Sequence, residues 1–142
     1  MEFVVKPYKS IGPIKLGMTK KEIRSVMPEK PEDSHNIRGP YTDYFIKSSL
    51  FAYYTEENGV CEAVEFTEPV IALFEGKQLN GIPFAEAKNW LENFDSEMTF
   101  EKYVGVTSYK LGIGLYAPKY DEEHEPDAYV EAVIIFKKGY YD

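Results

Sequence analysis

Helical and strand-like spacings of apolar residues alternate along this chain, and each change of period marks an element. Ile23, Val26 and Met27 fall on one face of a helix. Thr19 and Glu22, just upstream, have the spacing of a capping box. The Thr19 oxygen can accept from the Glu22 amide while the Glu22 carboxylate reaches back to the Thr19 amide. Met18 and Ile23 flank this start as a hydrophobic staple, and Pro28 and Pro31 stop the helix. Strand-like runs follow at 43–48 (DYFIKS), 50–55 (LFAYYT) and 60–66 (VCEAVEF). Between the last two, Asn58-Gly59 predicts a tight hairpin with positive φ at both residues.

The same order then recurs. Gly17 to Met27 aligns without a gap to Gly81 to Leu91. The glycine, the staple position, the glutamate, the basic residue and the apolar pair all repeat. Pro83 stands in place of the capping Thr19, a residue well tolerated near a helix start. Strand-like runs follow at 103–108, 111–116 and 129–136, with Glu131-Ala132-Val133 matching Glu62-Ala63-Val64. Runs at 3–5 and 70–74 supply a leading strand for each helix. The chain therefore reads as α+β, built of two tandem β-α-β-β-β repeats at 1–68 and 69–142. Each helix is expected to cover one face of an antiparallel sheet.

Composition narrows the classes of function. With 44% hydrophobic and 15% aromatic residues, the chain can build a packed core and is not a disordered segment. Twelve tyrosines and nine phenylalanines suit half-buried sheet faces and interfaces. The formal charge of −8, with no lysine or arginine cluster beyond pairs such as Lys20-Lys21 and Lys137-Lys138, excludes nucleic acid as the expected partner. No run approaches the roughly 18 apolar residues of a membrane span. Residues 1–12 do not form a secretory signal, and the single Cys61 cannot close an intramolecular disulfide, so the expected address is cytoplasmic.

The Gly-Met-Thr-x-x-Glu-Ile start at Gly17 to Ile23, placed twice ahead of three strands, resembles the tandem repeats of the β-lactamase-inhibitor-protein-like superfamily. The same helix start occurs in the related small outer-membrane assembly lipoproteins. The chain departs from the secreted inhibitors in having neither a signal peptide nor disulfides, and from the lipoproteins in placing Cys61 inside a strand. In its general character, small, acidic and two-repeat, it is also similar to cytoplasmic immunity proteins of bacterial toxin systems. The resemblance implies the fold and a protein-binding role.

Candidate chemistry is sparse. His35 and His124 are the two histidines, far apart and without a second ligand at metal-binding spacing. Asp121 to Asp127 is acidic but lacks the alternating spacing and central glycine of a calcium loop. Cys61 lies in an alternating strand, where a buried thiol is inert packing. There is no nucleophile elbow, phosphate loop or dinucleotide fingerprint. Glu22 and Glu86 read as helix-start residues. No metal, cofactor or catalytic group is expected.

One asymmetry between the halves remains. The first turns tightly through 56–59, whereas the second inserts 117–128 (APKYDEEHEPDA), whose one lysine and five acids carry −4 of the −8 total. Loops of this length are functional or unstructured, and the flanking tyrosines favour function. The expected partner-binding set is Tyr116, Tyr120, Asp121, Glu122, Glu123, Glu125, Asp127 and Tyr129, joined by Glu56 and Glu57 of the matching hairpin. Such a surface fits a basic protein cleft, with a toxin nuclease the natural target because its cleft must attract phosphates. Two alternatives stay open: an adaptor that pairs through a sheet edge, and a small-ligand-binding domain or enzyme using a cleft between the halves.

Overall fold

A computed structural model of the protein describes residues 1–32 and 41–141; His35 lies outside the described residues. The chain is α+β, with two sheets and, among the described residues, two α-helices. β1 (Glu2–Lys6), β2 (Ser10–Ile11), β3 (Ile14–Lys15), β7 (Ile71–Phe74) and β8 (Lys77–Gln78) form one sheet, ordered β3-β2-β1-β7-β8. The larger sheet contains β4 (Thr42–Phe45), β5 (Leu50–Tyr54), β6 (Cys61–Phe66), β9 (Thr99–Glu101), β10 (Gly105–Ser108), β11 (Ile113–Tyr116) and β12 (Ala132–Phe136). Its order is β4-β5-β6-β12-β11-β10-β9. The described helices are α1 (Lys20–Val26) and α2 (Phe84–Glu92).

α1 starts as its sequence requires. The Glu22 amide donates to Thr19 Oγ1 at 3.2 Å, and the Thr19 amide donates to Glu22 Oε1 at 3.2 Å. Ile23 and Met27 are buried, but Val26 is 37% exposed, so the apolar face is narrower than expected. The helix is only seven residues long, and Val26 falls on its outer flank.

Pro83 caps α2 without a side-chain hydrogen bond. The returning limb of the acidic insert serves that end instead, because the Phe84 amide donates to Ala128 O at 2.8 Å and Pro83 bridges Tyr129. A matching latch holds α1, where Thr19 bridges Val60 and the Cys61 amide donates to Met18 O at 2.7 Å.

Two seams join strands of 1–68 to strands of 69–142. β6 pairs antiparallel with β12, Phe66 facing Val133 and Ala63 facing Phe136. β1 pairs parallel with β7, Glu2 facing Ile71 and Val4 facing Leu73. The five-stranded sheet is therefore mixed, where antiparallel sheets alone were expected. The hairpin at 56–59 also corrects the sequence expectation, since neither Asn58 nor Gly59 takes a positive φ. The turn closes by Gly59 N to Glu56 O at 3.0 Å. Glycine is needed there for space: a Cβ would crowd Thr55 Oγ1 and lie 2.7 Å from the Glu56 amide nitrogen.

One apolar core draws on both sheets, with Phe3, Val5, Ala72 and Phe74 from the smaller and Phe45, Leu50, Phe66, Val133 and Ile135 from the larger, and takes in Ile23 of α1 and Phe84 and Leu91 of α2. Buried Asp43 ties α1 to this sheet, accepting from Arg24 Nε at 2.9 Å, Arg24 Nη2 at 2.8 Å and the Tyr54 hydroxyl at 2.9 Å. The other face of the seven-stranded sheet carries Tyr44, Phe51, Tyr53, Glu65 and Ile134. At one end of it, Phe136 is sealed by Tyr8, Tyr109, Tyr140 and Tyr141. No helix among the described residues is long and apolar enough to cross a membrane.

Candidate protein-binding surface

The insert between β11 and β12 is built rather than loose. Asp121 and Glu125 close a tight turn through reciprocal backbone hydrogen bonds, Asp121 N to Glu125 O at 3.2 Å and Glu125 N to Asp121 O at 2.9 Å. Within the turn, the Asp121 carboxylate accepts from the amides of Glu123 at 2.9 Å and His124 at 3.0 Å. The His124 amide, then the Glu123 amide, lower the Asp121 pKa below the ordinary carboxylate value, because both donors favour the charged form. His124 Nδ1 lies 3.3 Å from the same oxygen, and Lys102 Nζ lies 3.8 Å from Asp121 Oδ2.

The base of the insert is fixed by packing. Tyr120 lies against buried Phe84, with ring centroids 4.7 Å apart, and its amide donates to Ala117 O at 3.1 Å. Val130 is buried, and its amide donates to Ile82 O at 2.9 Å. Glu122, Glu123, Glu125 and Asp127 are therefore held outward on an ordered frame, all exposed. Large apolar side chains gather at the same end of the sheet: Tyr103 is 64% exposed, Tyr129 56% and Tyr116 45%, with Phe100 and Val104 nearby.

Of the ten residues expected to bind a partner, eight meet at this end: Tyr116, Tyr120, Asp121, Glu122, Glu123, Glu125, Asp127 and Tyr129. Tyr120 and Asp121 act mainly as its framework. Glu56 and Glu57 sit elsewhere. β6 and β12 run antiparallel, so the 56–59 hairpin leaves the sheet beside Cys61 and Phe136, while the insert leaves it beside Phe66 and Ala132. The length of β6, roughly 17 Å at the usual strand rise, separates the two hairpins along the sheet. Glu57 lies 3.7 Å from Lys20 of α1. The two hairpins thus face opposite ends.

Tyr103 and Glu131 belong to the surface and were not identified from the sequence. Tyr103 falls inside a strand-like run, but it lies in the β9–β10 turn with φ 66°. Glu131 read only as part of the repeated Glu-Ala-Val. Their proximity to the insert comes from strand order, which no local spacing records.

Elsewhere, burial pushes the Cys61 thiol up to about 12. Glu22 completes the α1 cap, whereas Glu86 pairs with Lys77. Among the described residues, no group of three or more His, Cys, Asp or Glu is placed to hold a metal ion. No protein-family model, curated protein or solved structure matches the chain.

Proposed function

We propose that this chain is a protein-binding inhibitor, an immunity protein that neutralises a bacterial toxin in the cytoplasm by covering a basic cleft. It acts by binding and not by catalysis. The observation that carries this reading is the ordered acidic turn surrounded by exposed tyrosines at one end of the sheet. Interfaces favour aromatic anchors held on a rigid frame, and fixed charges of one sign steer an oppositely charged partner into register. A nuclease fits because a cleft that attracts phosphate also attracts this turn. The fold beneath it is two tandem β-α-β-β-β repeats of the β-lactamase-inhibitor-protein-like kind. Both the two latched helix starts and the two seams between the halves favour that arrangement.

Sheet-edge pairing is the second reading, favoured by β9, whose three residues are all exposed at the end of the larger sheet. It is a short strand, and it carries Glu101.

The test begins by capturing the partner with the purified chain and assaying it alone. The expected partner is a basic protein that cleaves nucleic acid and loses that activity at one equivalent of this chain. An acidic partner, or a nuclease still active in the complex, contradicts the proposal.

A further inference from the structure

Beside the acidic turn lies an open cleft of about 690 Å³ whose rim includes Tyr103, Tyr129, Glu125 and Glu131. Pro118 and Ala128 contribute apolar lining. Tyr103 and Tyr129 are both more than half exposed, so both are open to a ligand from solvent. Among the described residues, neither Glu125 nor Glu131 takes part in an ion pair. Asp121 is differently placed, since its carboxylate is committed to the turn. One cation of the chain already uses this chemistry: Lys102 Nζ lies 5.2 Å from the Tyr103 ring centroid and 3.8 Å from Asp121 Oδ2. Lys119 also lines the cleft, leaving the free carboxylates in excess.

We propose that this cleft is a receptor for an arginine side chain of the protein partner. The inference rests on the protein-binding reading above and names the partner group that its surface receives. A guanidinium is flat, always charged and weakly hydrated. It can stack flat on a tyrosine face while its in-plane N–H fork donates in bidentate fashion to a carboxylate, whereas an ammonium offers each partner only a point charge. The cleft is open on one side, which suits a side chain projecting from a protein surface better than a small cation that needs enclosure.

The probe is N-acetyl-arginine methylamide, titrated into the full chain and followed by the ring signals of Tyr103 and Tyr129. Saturable shifts at both rings are expected, with the N-acetyl-lysine methylamide binding at least about fivefold more weakly. Glu131→Gln is expected to weaken the arginine probe by a similar factor, roughly fivefold, whereas Glu56→Gln leaves it unchanged. Absence of saturable shifts, equal response to both probes, or indifference to Glu131→Gln overturns the receptor.

The partner itself separates this inference from the reading beneath it. If charge reversal at Glu122, Glu123, Glu125 and Asp127 abolishes binding while Tyr103→Ala with Tyr129→Ala does not, the arginine receptor is overturned and the acidic interface stands. If neither set weakens binding, both fall. Loss of binding in both sets, with the fold of each variant intact, supports both.

Discussion

At the scale of single residues, local chemistry decides most of what the sequence made legible. The Thr19–Glu22 box forms because both partners lie within one turn, so spacing alone suffices. Cys61 behaves as its alternating strand implies, buried and with its thiol pushed up to about 12. Asp43 was read only as part of a strand, because its partners come from elsewhere: Arg24 is 19 residues away and Tyr54 is 11. Removing it leaves the buried Tyr54 hydroxyl without its acceptor and frees a half-exposed guanidinium that water can reach. Asp43→Ala is therefore expected to cost about 2–3 kcal/mol, measured as the shift in urea unfolding. A loss below roughly 0.5 kcal/mol contradicts the role assigned to this carboxylate, since that is the scale of an ordinary surface change.

At the scale of elements, the length and charge of the insert were plain in the sequence, but its order was not. Order comes from Asp121, which serves a turn of its own, and from the limb Ala128 to Val130, which docks on the start of α2. Pro83 has no side-chain acceptor to match Thr19, and the limb takes up the Phe84 amide at that helix start instead. The same limitation explains the short strands β2, β3, β8 and β9, whose two or three residues are too few to show a period. The Asp121 carboxyl titrates below the ordinary value because it accepts from the His124 and Glu123 amides. Its stabilisation of the turn is complete above the unfolded carboxylate pKa and is lost as pH falls through the lower, folded value. The movement of the Glu123 and His124 amide signals that follows Asp121 is expected to have its midpoint below that of an ordinary Asp carboxyl. Movement at the ordinary Asp value contradicts the capped turn.

At the scale of the whole molecule, the two seams matter more than the likeness of the halves. Strands of 1–68 and 69–142 share both sheets and one core, so neither half can shed its partner without opening a sheet. Unfolding is expected to be one cooperative transition. Trp90 fluorescence in the second half and alkylation of buried Cys61 in the first are expected to report the same urea midpoint. Separate midpoints contradict a shared core. The parallel pairing of β1 with β7 was hidden from the sequence for the same reason that it matters, since it joins segments about 70 residues apart. Strand order likewise sends the two hairpins to opposite ends, which divides Glu56 and Glu57 from the acidic turn.

That division makes the central claim testable by one calorimetric comparison with the purified partner. Three proteins are titrated: the unchanged chain, a variant with the outward acids Glu122, Glu123, Glu125 and Asp127 changed to lysine, and a variant with Glu56 and Glu57 changed to lysine. The acidic turn is predicted to carry the interface, so the first variant loses at least about a hundredfold in affinity. The second binds within about threefold of the unchanged chain, because rim or remote surface charges contribute little. Equal binding by the folded first variant, or greater loss in the second, contradicts the account.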